Sequence, residues 1–166
     1  MELAPDPDRG AGLVQLARAT GELGDPALFD HAITSAWRLV DAKPGTGLTS
    51  LHALHEVHLR GLVHTHRPDL ATDLLDRHRM STAAIPPQWQ AILQVTTGEV
   101  LLARADTCQA ETAFQAAIII AEEHRLPHQI QRAFQACTSH LPAVGELARQ
   151  ALERLRIPEP AGSQAP

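Results

Sequence analysis

The chain has 166 residues, 44% of them hydrophobic and 20% charged, and a net charge of −5 with its ten histidines neutral. That length suits one domain or one short repeat array, and the acidic balance offers no basic footprint for displacing counterions from nucleic acid. With two Trp, three Phe and no Tyr, the core falls to Leu, Ile, Val and Ala, mostly strong helix formers. An all-α fold is therefore predicted. Basic charge is almost all arginine, and with the alanine-rich composition this suggests a GC-rich bacterial genome. The start, "MELAPDPDRG", has neither a cationic segment nor an apolar stretch, so it does not read as a secretory signal. No apolar run approaches the ~20 residues that span a bilayer. A cytoplasmic protein is expected. Cys108 and Cys137 lie far apart without a C-x-x-C pair, and both read as small core residues of a reducing compartment.

In chain order, Pro5 and Pro7 predict an extended segment over residues 1–11. A first helix follows from about Gly12 to Leu23, with Leu13, Leu16 and Ala17 on its apolar stripe. Gly24-Asp25-Pro26 ends it and starts a second, because Asp25 can cap and Pro26 suits the first helical position. That helix carries Phe29, Ala32, Ile33, Ala36, Trp37 and Val40 at helical spacing. "KPGTG", residues 43–47, is a break. A third helix is expected from Leu48 to about Thr65, its buried surface supplied largely by Leu51, Leu54, Leu59 and Leu62. Arg67-Pro68-Asp69 opens a fourth, with Ala71, Leu74 and Leu75, which fades near Met80. "IPPQW", residues 85–89, opens a fifth lasting to about Ala105. Asp106 with Gln109 makes a capping-box-like start for a sixth, and Pro127 and Pro142 introduce two more, ending near Arg156. The helical domain is placed at 12–156. Residues 157–166, "IPEPAGSQAP", hold too little apolar surface to fold and are read as a disordered tail.

Eight helices with tight turns allow a closed bundle or a stacked array of hairpins, and internal repetition favours the array. Asp25, Asp69 and Asp106 each fall in a turn, and eight residues before each lies a small residue, Ala17, Gly61 or Gly98. Small side chains let paired helices cross closely. Ala110, Phe114 and Ala117 follow Asp106 at offsets that Phe29, Ile33 and Ala36 repeat after Asp25. The middle hairpin fits if its turn is two residues shorter, which places Ala71, Leu75 and His78 there. "GEVLLARADTCQAETAFQAA", residues 98–117, resembles a tetratricopeptide repeat (TPR), although Gln94 stands where that family has an aromatic residue. "GLTSLHALHEVHLRGLVH", "IPPQWQAILQVTTGEVLLAR" and "RLPHQIQRA" resemble the carboxy-terminal TPR-like region of actinobacterial helix-turn-helix (XRE-type) regulators. The resemblance implies degenerate repeats stacked as a right-handed superhelix, sensing a ligand or partner for a DNA-binding domain. Within this chain the loose helix-turn-helix candidate is Leu16 to Ile33, whose second helix offers no arginine fork for reading bases.

Half of the histidines stand in "LHALHEVHLRGLVHTHR", residues 51–67. His52, His55 and His58 are three apart, so each pair are neighbours, but each step also turns about −60° around the helix. Two could share a metal while the third faces away, and zinc needs at least three protein ligands. Glu56, His64 and His66 are the nearby completions, and "HEVH" is one residue too short for the H-E-x-x-H pattern. The simplest reading has these side chains lining the polar face of a hairpin. No nucleophile elbow, S-x-x-K or phosphate-binding loop is present, and Cys137 beside Ser139-His140 is adjacency in sequence only. The sequence thus predicts a noncatalytic module without cofactor. Its concave-face candidates are His52, His55, Glu56, His58 and Arg60, facing a protein, peptide or small-molecule ligand, and a homodimer is compatible with it. Two other readings stay open: a DNA-binding regulator in its own right, and a histidine-dependent metalloprotein.

Overall fold

The computed structural model describes residues 7–42, 50–78 and 85–156. "KPGTG", Met80 and the expected tail lie outside them. Among the described residues there are eight α-helices and no strand. They are α1 (Pro7–Glu22), α2 (Pro26–Ala42), α3 (Leu51–His64), α4 (Pro68–His78), α5 (Pro87–Ala103), α6 (Thr107–Glu123), α7 (Pro127–Cys137) and α8 (Pro142–Arg156). No helix among the described residues is long and apolar enough to cross a membrane.

Six of the eight begin on proline, whose fixed φ suits the first turn and whose missing N–H is not needed there. This explains the largest shift from expectation. Pro7 opens α1 instead of holding the chain extended, so residues 7–11 are helical. Serine does the same work for α3. Ser50 is its N-cap, its Oγ accepting from the Ala53 N–H at 3.2 Å, and the helix starts at Leu51; the expected start at Leu48 lies outside the described residues. Asp25 caps α2 through the Leu28 N–H at 3.0 Å, and Asp106 caps α6 through the Gln109 N–H at 3.1 Å.

One turn recurs four times. Gly24, His66, Ala105 and Arg125 all have positive φ, at 70°, 59°, 60° and 52°. Each donates its N–H three residues back, and the following residue donates five back: Asp25 to Thr20, Arg67 to Leu62, Asp106 to Leu101 and Leu126 to Ala121, at 2.7–3.1 Å. This is the Schellman closure of a helix. It also corrects the register of the middle hairpin: Arg67, not Asp69, occupies the place of Asp25 and Asp106. Three of these left-handed positions carry a side chain, at a steric cost of about 1 kcal/mol each. Ala105→Gly is therefore expected to raise the unfolding free energy by about 0.5 kcal/mol and Gly24→Ala to lower it by about 1 kcal/mol, measured by urea denaturation.

Consecutive helices pair as hairpins, α1 with α2, α3 with α4, α5 with α6 and α7 with α8. The first helices also touch in a row, α1 on α3, α3 on α5 and α5 on α7, while α1 and α2 do not pack on α6 or α7. A closed bundle would bring those distant helices together. The molecule is a stack of hairpins, with α8 lying against both α6 and α7 at its end.

The core divides along the stack. One apolar cluster joins α1 to α4 around Val14, Phe29, Leu54 and Leu59, and the other joins α5 to α8 around Phe114, Ile118, Ile130 and Val144. Phe29, Phe114, Leu101, Ile118, Ala110 and Ala117 are buried as expected, whereas Trp37 is half-buried. Two stripe assignments fail. Val14 and Ala17 carry α1 while Leu16 is 48% exposed, and Leu51 is 47% exposed because it sits in the first turn of α3.

The close crossings are of two kinds. A Cβ on Gly98 would stand 2.7 Å from the Phe114 ring of its own hairpin partner α6. On Gly61 it would stand 2.0 Å from the Phe29 ring, and on Gly21 2.9 Å from the Gly61 Cα. Gly61 therefore marks where the middle hairpin meets the first one, not where α3 crosses α4.

Candidate functional site: a charge network across the first helices

Polar side chains at helical spacing on the four first helices converge near the middle of the row. Arg18 and Glu22 stand four apart on α1, as Glu56 and Arg60 do on α3, with Thr96 and Glu99 three apart on α5 and Arg132 on α7. Residues three or four apart share a helix face, so each helix contributes a short polar patch.

Glu56 is the hub. Its side chain is 4% exposed and its carboxylate meets three guanidinium groups. Oε1 lies 3.2 Å from Arg132 Nη1 and 3.5 Å from Arg60 Nη1, and Oε2 lies 3.5 Å from Arg18 Nη2. Arg132 reaches from α7 across α5. Its Nε donates to Glu99 Oε1 at 3.0 Å, and its Nη2 donates to Glu99 Oε2 at 2.6 Å and to Thr96 Oγ1 at 2.8 Å. Arg60 extends the chain of charges to Glu22 at 3.8 Å and to Glu99 at 4.0 Å. Burial works to lower the pKa of Arg132, but the hydrogen bonds and charge of Glu99, with Glu56 behind them, outweigh it and hold the group above its ordinary value. Arg132 stays protonated.

Three arginines face three glutamates, so the cluster is close to neutral, yet it is rich in donors. Each guanidinium carries five N–H groups and a carboxylate none. Among the described residues, the buried Nε atoms of Arg18 and Arg60 find no hydrogen-bond acceptor. The arginine side chains remain 35%, 27% and 21% exposed for Arg18, Arg60 and Arg132. Solvent, or a partner's acceptor groups, can reach them while Glu56 lies beneath.

The five residues singled out in the sequence split into two groups. Glu56 and Arg60 belong to the network. His52 and His58 do not join it: the His52 ring lies 6.1 Å from Trp89 of α5, while His58 turns the other way, towards α2. There its Nδ1 accepts the Trp37 indole N–H at 3.0 Å, with the Phe29 ring 6.0 Å away. That bond leaves the proton of the neutral imidazole on Nε2. His55 is half-buried between them on α3. The 60° rotation per step thus fans the histidines around the helix, and His58, one of the concave-face candidates, meets Trp37 and Phe29 of α2. Among the described residues no three His, Cys, Asp or Glu side chains converge as a metal site.

The cysteines also separate. Cys137 is fully buried, and burial, with a smaller push from the Glu99 charge, raises its thiol pKa to about 12. Ser139 and His140 beside it are exposed. Cys108, read as a core residue, is exposed in the first turn of α6, because only Ala110, Ala113, Phe114 and their stripe face inward. One thiol per chain is expected to react with a disulfide reagent at neutral pH in the native state and two in denaturant. A native count of two would place Cys137 in contact with solvent.

Comparison with family models, curated proteins and solved structures finds no match.

Proposed function

We propose that the chain is a noncatalytic, TPR-like binding module in which the row α1, α3, α5 and α7 receives an extended segment of a partner protein. We read it as the cytoplasmic interaction part of a bacterial transcriptional regulator. The observation that carries this reading is the charge network itself: donor-rich arginines from three of the four hairpins, partly exposed along one row of helices. Stacked hairpins create long surfaces of this kind, on which each repeat contributes a few contacts. A right-handed superhelix, as in the TPR family, would make that row the concave face.

The test is photo-cross-linking in cells. A photoreactive residue replacing His52 on α3 is expected to capture a discrete partner, and the same residue replacing exposed Ile119 on α6 is not. Equal capture at both positions, or capture at Ile119 alone, would move the binding face elsewhere. DNA binding by this chain alone is the competing reading. A gel shift at moderate salt is expected to show no retarded band, in keeping with the net charge of −5.

A further inference from the structure

We propose that the molecule is built as two halves, residues 7–78 and 85–156, that hinge at the α3–α5 junction and are latched by Arg132. The first observation is the division of the core. The cluster of α1 to α4 and that of α5 to α8 are separate, and among the described residues Val100 is the one residue of the second half that enters the first cluster. The second is a set of polar contacts that spans the junction beside the packing of α3 and α4 on α5. Arg132 of α7 grips Glu99 and Thr96 within its own half and reaches across to Glu56 in the other. Arg60 meets Glu99 from the opposite side, and at the turns Arg104 lies 3.5 Å from Asp69.

The physics of the two kinds of contact differs. Separating apolar surfaces returns them to water at a cost proportional to area. Separating a partly buried ion pair loses its attraction but regains the hydration of both charges, and these terms nearly offset. Each half is therefore held rigid by its own apolar core, while the junction, where Val100 and the ion pairs meet the first half, opens at lower cost than either core. Geometry decides the balance. The arginine fork engages Glu99 through two nitrogens and presents its third to Glu56, and this arrangement exists only when the halves are closed. Because the junction lies in the middle of the first-helix row, its opening changes the spacing of the surface that the proposed partner would meet.

Pulsed spin-label distances test the latch without a partner. Exposed Cys108 on α6 takes one label, Cys137 being buried. The second goes on Thr34→Cys of α2 for a pair across the hinge, or on Gln131→Cys of α7 for a pair within the second half; both positions are exposed. Arg132→Met is expected to broaden the cross-hinge distribution or add a longer population, with the within-half distribution unchanged and Arg132→Lys intermediate. An unchanged cross-hinge distribution, or equal broadening of both pairs, would overturn the proposal. Should Arg132→Met not fold, hydrogen exchange of the wild type in stepped urea decides. Opening of 7–78 and 85–156 at separate urea concentrations supports two halves, and a single common step overturns them.

Discussion

Glu56→Gln is expected to lower the unfolding free energy by about 3 kcal/mol, the low end of the cost of removing one partner from a buried ion cluster. The substitution keeps the shape and deletes the charge. Arg18 and Arg60, both in the first half of the stack, then face each other over a side chain that is 4% exposed. Opening the hinge does not relieve that repulsion, because both arginines stay with α1 and α3. Urea denaturation measures the effect, and Arg149→Ala is the control. Arg149 bridges Glu146 and Glu153 on the exposed face of α8, where ion pairs contribute little. Its loss is expected to change stability by less than about 0.5 kcal/mol. Equal small effects at Glu56 and Arg149 would mean that Glu56 is not the hub of a buried network.

Gly61→Ala is expected to destabilise by about 3 kcal/mol, at the upper end of overpacking costs, where propensity alone says the opposite. Alanine in place of glycine inside a helix ordinarily gains about 0.5–1 kcal/mol. At Gly61 the new methyl group would stand 2.0 and 2.2 Å from two atoms of the Phe29 ring, and Phe29 is wholly buried with Arg67 over its face at 5.7 Å. The ring has nowhere to go without parting α2 from α3. Gly12→Ala supplies the comparison, since nothing lies within 4 Å of a Cβ there, and it should show the ordinary gain. Gly98→Leu, against the Phe114 ring, is expected to cost ~1–3 kcal/mol. Thermal melts of the three variants check the order, and a stabilised Gly61→Ala would rule out the close approach.

Punctuation was the part of the fold most legible in the sequence. Prolines and capping side chains act on their immediate neighbours, so Pro26, Pro68, Pro127 and Pro142 mark helix starts wherever they stand, and Asp25 and Asp106 mark the turns before them. Pro7 was misread because a proline can end an extended segment or open a helix, and the local sequence is the same in both cases. The apolar stripe was less reliable. Leu16 is the larger side chain, yet Val14 is the buried one, because the neighbours α2 and α3 decide which face of α1 is covered. The middle hairpin was legible only in outline. Its offsets fit once the turn is shortened, and the reason, a left-handed His66 with Arg67 in the place of aspartate, leaves no signature of its own.

The site was half legible. Glu56 and Arg60 stood out because they share a histidine-rich helix. His58 is a structural acceptor for Trp37. Arg18, Glu22, Thr96, Glu99 and Arg132 come from three other helices, and no local pattern announces a partner that far along the chain. The available signal was repetition: polar residues three or four apart on α1, α3 and α5, the first helices of successive hairpins, on faces that those hairpins stack side by side.

The binding face can be tested directly by titrating the partner captured through position 52 against Arg18→Ala/Arg60→Ala in parallel with wild type and Arg149→Ala. The double variant is expected to bind at least tenfold more weakly, about 1.4 kcal/mol, while Arg149→Ala binds as wild type does and circular dichroism shows all three folded. Undiminished affinity in the folded double variant would contradict a binding role for the charge network along the first helices.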